Sequence, residues 1–308
     1  MKFIYAFRNS VYYPHRYEDL SPVYLPPKEQ RGQYLRKLRS IGFEGLELSS
    51  AEVVRLDERG INELAKELSH EGLPCIAIRG RGGMHNPKFG AQNRQILEKT
   101  VEVAGRIGAQ VVNTTTIGAP SISGMPGFFV GEPVSQGSSR QASEADYEVT
   151  AEGLANIADK ASNLGVSISI EVHQHSIADN SRSALHLLEL IDRRNVGLNP
   201  DLGNIYWCYE VPEESCEAAI VALAPHVNYW HCKNLIRVHI PENKHSIFIR
   251  SPLPDGDINY RFAISAILDA SYEGCLAIEG VPLGDQIATD GRSLEYAKGL
   301  IEEIKAAS

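Results

Sequence analysis

The chain has 308 residues, 43% of them hydrophobic, enough for one large α/β domain or two ordinary ones with a substantial buried core. Its formal charge of −9 and pI of about 5.6 set up a field that repels phosphate backbones and anionic lipid, so neither nucleic acid nor a membrane surface is expected as a partner. Five cysteines (Cys75, Cys208, Cys216, Cys232, Cys275) are odd in number and lack CxxC spacing; with no signal-like leader and no apolar run near 18 residues, the sequence predicts a soluble, cytoplasmic protein with free thiols.

Along the chain, β-prone apolar runs alternate with amphipathic helical patterns. The runs are 2–7, 43–49, 74–79, 109–115, 166–173, 196–201, 227–231 and 275–280. The helical patterns are 33–41, 61–72, 93–109, 147–165, 183–194, 214–225, 259–271 and 293–307, and several stop at glycine, as in IGFEG, HEGLP, RIGA and NLGV. Eight alternations ending on a helix predict an α/β fold of one domain over residues 1–308, a closed (β/α)8 TIM barrel rather than an open doubly wound sheet. The connections after strands are long (8–27, 116–144, 234–257) and those after helices short, which places the irregular chain on the C-terminal rim, where barrel enzymes keep their sites. The stretch 116–144 is rich in Gly, Ser and Pro and carries Phe128 and Phe129; it is expected to be a lid or a subunit contact.

The last four strand runs each end in a residue of metal-ligand type: Glu171, Asp201, His231 and Glu279. Taken singly, such a residue is ordinarily a helix cap or a solvated loop residue. Parallel barrel strands, however, bring their C-terminal ends to one rim. Three carboxylates and an imidazole suit one hard-to-borderline divalent ion, Mn²⁺ first, with Mg²⁺, Co²⁺ or Zn²⁺ as alternatives. Four protein ligands leave about two positions on a six-coordinate ion, and a hydroxyl beside a carbonyl would fill them. A metal-stabilised enediolate then allows isomerisation or epimerisation by proton removal and return, or elimination by loss of a β-leaving group. The catalytic base is expected to be Glu171, Glu279 or His173, the last lying two residues past Glu171 on the same side of the strand. His175 reads as a loop residue. Arg237, Lys233, Asn204, His85 and Asn113 are expected to line the mouth and bind substrate oxygens. The glycine-rich RGRGGMH (79–85) lacks GxGxxG and GK[ST], and no GxSxG elbow occurs, so dinucleotide and serine-nucleophile chemistry have no support.

Six stretches carry a family resemblance: GFEGLEL (42–48), LANIADKASNLGVSISIEVH (154–173), NVGLNPDLGN (195–204), HCKN (231–234), DGDINY (255–260) and AIEG (277–280). In them the chain resembles the xylose isomerase-like barrel superfamily of sugar phosphate isomerases and epimerases. The resemblance implies that Glu171, Asp201, His231 and Glu279 bind one Mn²⁺-like ion and that Arg237 contacts substrate, as an arginine does in the ketose epimerases. Two positions differ from those epimerases: Ile177 stands where they usually carry a second Glu, and Asn204 where they carry a His. Asn204 also removes a ligand that the trinuclear cluster of the endonuclease IV enzymes needs, which argues against DNA repair. The Glu171-x-His173 pair is similar to the large subunit of bacterial C-glycoside deglycosidases. The alternative function is therefore a metal-dependent lyase that cleaves a 3-keto glycoside or dehydrates a keto-cyclitol, with His173 as base. A barrel that binds without turnover is the third reading. The expected partner is a small carbohydrate, with a homo-oligomer or a small partner subunit covering the rim.

Overall fold

The computed structural model describes residues 1–7, 25–26, 28–117, 139–208, 212–243, 245–280 and 285–307. In chain order the first half comprises β1 (Lys2–Ala6), α1 (Lys28–Ser40), β2 (Gly45–Ser49), α2 (Ser50–Val53), α3 (Glu58–His70), β3 (Cys75–Arg81), α4 (Gly90–Ile107), β4 (Val111–Thr115) and α5 (Glu144–Ser162). The second half comprises β5 (Ser167–Glu171), α6 (Ser181–Ile191), β6 (Val196–Asn199), α7 (Leu202–Tyr206), α8 (Cys216–Leu223), β7 (Trp230–Cys232), β8 (Asn234–Ile240), β9 (His245–Ser251), α9 (Tyr260–Asp269), β10 (Cys275–Glu279) and α10 (Gln286–Ala307). All eight expected barrel strands form, and they pair in parallel in the order β6-β5-β4-β3-β2-β1-β10-β7.

The ring is a (β/α)8 barrel whose seam between β6 and β7 is thin. Backbone pairing there is a single bridge from Leu198 to Val227, with Asn228 N donating to Leu198 O at 3.2 Å. Side chains complete it: His231 N donates to Asn199 Oδ1 at 2.7 Å, and Trp230 Nε1 to Pro200 O at 3.1 Å. The short strand carrying a key imidazole is thus fixed to its neighbour by specific polar contacts rather than by a ladder.

Strand alternation sorts the core into two parts. Ile4, Ala6, Ala77, Val111, Tyr229, Cys275 and Ala277 pack together inside the ring, while Phe3, Tyr5 and Phe7 join the larger cluster between strands and helices. Both faces of a parallel sheet are buried, which is why these strands read as near-continuous apolar runs. Helix ends follow the expected punctuation: Gly108 closes α4 at φ 84°, and Ser143 opens α5 with a capping box to Asp146.

One stretch departs from expectation. Residues 234–257, expected from the sequence to be irregular rim chain, contain the antiparallel hairpin β8–β9, in which Ile236 pairs with Ile249 and Val238 with Ile247. Its apolar residues alternate with polar ones at a period of two, the strand signature. None of the five cysteines is in a disulfide, and no described helix is long and apolar enough to cross a membrane. The expected lid falls mostly on 118–138, outside the described residues.

Candidate metal centre

Strand registry carries the four expected ligands to one place. Glu171 ends β5 and Glu279 ends β10; His231 is the middle residue of β7; Asp201 follows β6 as the N-cap of α7. All four are buried, and each offers a ligand atom within 4.8 Å of the others. Asp201 is thus both helix cap and cluster member, accepting the Asn204 N–H at 3.4 Å through Oδ1 while Oδ2 faces the cluster.

His231 is held from behind. Its Nε2 lies 2.6 Å from Glu47 Oε2, and Glu47 Oε1 is paired with Arg79 Nη1 at 2.5 Å. Arg79 is itself fixed by Phe7 O at 3.0 Å. In the neutral ring, an Nε2–H donated to Glu47 puts the lone pair on Nδ1. Nδ1 makes no hydrogen bond and faces Glu171 Oε1 at 3.6 Å and Asp201 Oδ2 at 4.0 Å. Burial alone would lower the imidazole, but the carboxylates of Glu47 and Glu171 outweigh it and raise His231 to about 9.

The two glutamates of the cluster sit in opposite company. Glu171 accepts from two amides, Asn113 Nδ2 at 3.0 Å and Asn204 Nδ2 at 2.9 Å, and Asn113 is in turn held by Asn199 Nδ2 at 3.1 Å. Glu279 faces two cations, Lys233 Nζ at 2.8 Å and Arg250 Nη1 at 3.9 Å. Lys233 also reaches Asp201 Oδ2 at 3.0 Å and Asn204 Oδ1 at 2.6 Å.

Of the residues expected at substrate, Asn113, Asn204 and Lys233 therefore stand on the carboxylates of the candidate ligands Glu171, Asp201 and Glu279. His173 is buried just past β5, with Nδ1 2.7 Å from Gln174 O. His175 takes a left-handed φ of 60°, and burial pulls its imidazole below the ordinary value. Arg237 lies on β8 beside Ser246 (3.4 Å) and His239 (3.2 Å), and Arg250 on the paired strand is the guanidinium that reaches Glu279. His85 packs against α5, its Nδ1 3.3 Å from Thr150 Oγ1. Sequence reasoning missed Glu47, Arg79, Asn199 and Arg250. Glu47 did leave a signal, a charge in the middle of an otherwise apolar strand that is buried on both faces and so must be paired.

The donor set fits a divalent ion. Three carboxylates and an imidazole whose Nδ1 faces two of them match the ligand preferences of Mg²⁺, Mn²⁺ or Zn²⁺, and an ion bound there would displace the Nδ1 proton. The carboxylate behind His231 is the arrangement that orients metal-binding histidines.

Fold and site together define a class: a parallel (β/α)8 barrel with a carboxylate–imidazole cluster at the C-terminal ends of its strands. The chain belongs to the xylose isomerase-like TIM barrel family, whose family model matches residues 35–297. A relative, the L-ribulose-5-phosphate 3-epimerase UlaE of Salmonella paratyphi C, is 22% identical over 268 residues, covering 83% of this chain and 84% of that protein. Among solved structures, a xylose isomerase-like TIM barrel protein from Mycobacterium smegmatis in complex with magnesium superposes with a TM-score of 0.77 at 22% identity, covering 98% of this chain and 97% of that one. An L-ribulose 3-epimerase gives 0.71 at 17% identity, with 100% and 97% covered.

Proposed function

We propose that this chain is a divalent-metal-dependent isomerase or epimerase of a sugar or sugar-derived hydroxy-carbonyl compound. The observation that carries the reading is the convergence of the buried Glu171, Asp201, His231 and Glu279 on one point, each with a ligand atom within 4.8 Å of the others. The epimerase activity named for the relative UlaE supports it. These four residues would hold the ion, Mn²⁺ by preference. When bound, the ion would supply electrophilic stabilisation of the charge that develops as a carbon next to a carbonyl loses its proton.

The chain's own groups do the rest. To Glu171 and Glu279, which end different strands of the rim, this reading assigns the two proton transfers, one removing the proton and the other returning it to give an inverted or relocated centre. The amides of Asn113 and Asn204 fix the Glu171 carboxylate, and Lys233 and Arg250 hold that of Glu279. Each is thereby oriented before substrate arrives. The substrate is a small carbohydrate, and the protein works in the cytoplasm.

A second reading, elimination from a 3-keto glycoside or keto-cyclitol, rests on His173. Its Nδ1–H donates to the Gln174 carbonyl, which leaves Nε2 as the basic nitrogen of the neutral ring. The two readings part at the product. The chain, supplied with Mn²⁺ and a panel of ketoses, aldoses and inositol-like ketones, is expected to interconvert at least one pair with no change in mass. Release of an aglycone from a 3-keto glycoside, with the ketose panel untouched, would establish the elimination instead.

A further inference from the structure

Resting on the metal reading above, we propose that Lys233 is an internal rival of the ion, a fixed cation that weakens divalent-metal affinity and keeps the bound ion exchangeable. Lys233 is 3% exposed and stands two residues beyond His231, on the same inward side of the chain. Its Nζ lies 3.0 Å from Asp201 Oδ2 and 2.8 Å from Glu279 Oε2, so it already binds two of the four residues the ion would use. Metal–oxygen distances are about 2.0–2.3 Å. An ion ligated by Asp201 and Glu279 therefore lies within about 5 Å or slightly more of an ammonium bonded to the same carboxylates.

Like charges that close, in a buried site, repel strongly. If the ammonium stays, it lowers the ion's affinity by repulsion. If it leaves, the ion must break two buried ion pairs to bind. Both routes act in the same direction. Asn204 and Trp207 bear on the second route: Asn204 Oδ1 accepts from Nζ at 2.6 Å, and the Trp207 ring centroid is 5.9 Å away, so the ammonium has an amide oxygen and an aromatic face beside it. Asn204 Nδ2 donates to Glu171 Oε1 at 2.9 Å, which links the lysine to a third ligand.

The arrangement has a structural reason. Three buried carboxylates around one point repel one another, and burying charge without compensation is costly. Lys233 offsets one of the three charges, and its ion pairs oppose the same oxygens being taken by a metal.

The test is Mn²⁺ titration of chelator-treated parent, Lys233→Met and Lys233→Arg by calorimetry, with thermal melts of each with and without Mn²⁺. Methionine is unbranched, keeps all but one atom of the side chain's length and removes the charge. Lys233→Met is expected to bind Mn²⁺ at least about tenfold more tightly, since one more net negative charge remains in the ligand shell. Its metal-free form should melt below the parent, and Mn²⁺ should raise its Tm by more than it raises the parent's. Lys233→Arg, which keeps the charge, should stay within about threefold of the parent, a small shift beside the tenfold that defines one step of binding free energy. A Lys233→Met protein that binds Mn²⁺ no more tightly than the parent overturns the role given to Lys233 while leaving the metal site standing. A parent that takes up no Mn²⁺, Mg²⁺, Co²⁺ or Zn²⁺ overturns the metal reading itself. If Lys233→Met does not fold, Lys233→Gln takes its place, with the same expected sign.

Discussion

The lower and upper halves of the barrel interior are buried to the same degree and built on different principles. Toward the N-terminal ends of the strands, Ile4, Val111, Cys275 and Ala277 fill the ring with apolar contacts. Two residues further along β4 and β10, at Asn113 and Glu279, and on the neighbouring strands, the interior becomes a layer that also holds Glu47, Arg79, Glu171, Asn199 and His231, each buried or nearly so and held by named polar partners. Apolar packing is non-directional, and any well-fitting hydrophobe serves it. The polar layer is directional: removing one member leaves a buried charge or dipole of another without its partner. The lower layer stabilises the barrel, and the upper layer spends part of that stability on a site.

The largest break in this comparison comes from the ligands. Glu279→Gln is expected to abolish turnover and severely weaken Mn²⁺ binding while the barrel stays folded, read by steady-state rates, metal titration and circular dichroism. Full occupancy with normal turnover would remove Glu279 from the site.

His173 tests whether the upper layer moves protons beyond the ligands themselves. His173→Asn should leave Mn²⁺ binding intact yet cost on the order of 10² to 10⁴ in rate if the imidazole is the base, the usual worth of a positioned one. A rate within a factor of about two of the parent's, far below that range, would assign the proton to Glu171 and Glu279.

The Glu47 support of His231 comes next. Glu47→Gln should weaken Mn²⁺ binding about 10- to 100-fold, the usual cost of losing the group behind a metal-binding histidine. It should also alter stability against pH in the chelator-treated protein. His231 rises from 6.5 to about 9 on folding, so the folded state holds its proton more tightly than the unfolded chain. That stability is fully present below pH 6.5 and is lost as pH climbs through 9. Urea midpoints of the parent should fall across this window and those of Glu47→Gln should fall less. Equal slopes would take the effect away from His231.

The lower layer should answer in the opposite way. Ile4→Ala leaves a cavity in the ring and should cost about 2–5 kcal/mol of stability. Mn²⁺ affinity should stay at the parent's value, because Ile4 touches the apolar interior rather than the cluster. A coupled loss of metal binding would show that the two halves are not separable.

Much of this was readable before any fold was known, because it depends on periodicity and on chain order. Alternation of apolar runs and helical patterns set eight strands, and parallel strands necessarily present their C-terminal ends together. Four strand ends carrying Glu171, Asp201, His231 and Glu279 then had to meet on one rim. The β8–β9 hairpin was equally written in its period-two pattern, but it hid inside a segment already accounted for as a loop. What a residue does inside the ring is a different matter, since it depends on which strands face one another across the interior, and that is fixed by closure and stagger. Glu47 and His231 are 184 residues apart and meet only because β2 and β7, separated in the ring by β1 and β10, turn both side chains into the same interior. Arg250 reaches Glu279 only because the hairpin folds over the rim, and Lys233 falls between Asp201 and Glu279 only because β7 is short and pinned by Asn199. Local sequence determined the elements and the ligand types; the tertiary structure decided which charge answers which, because in a buried layer each charge is set by its neighbours in space and not by its neighbours in the chain.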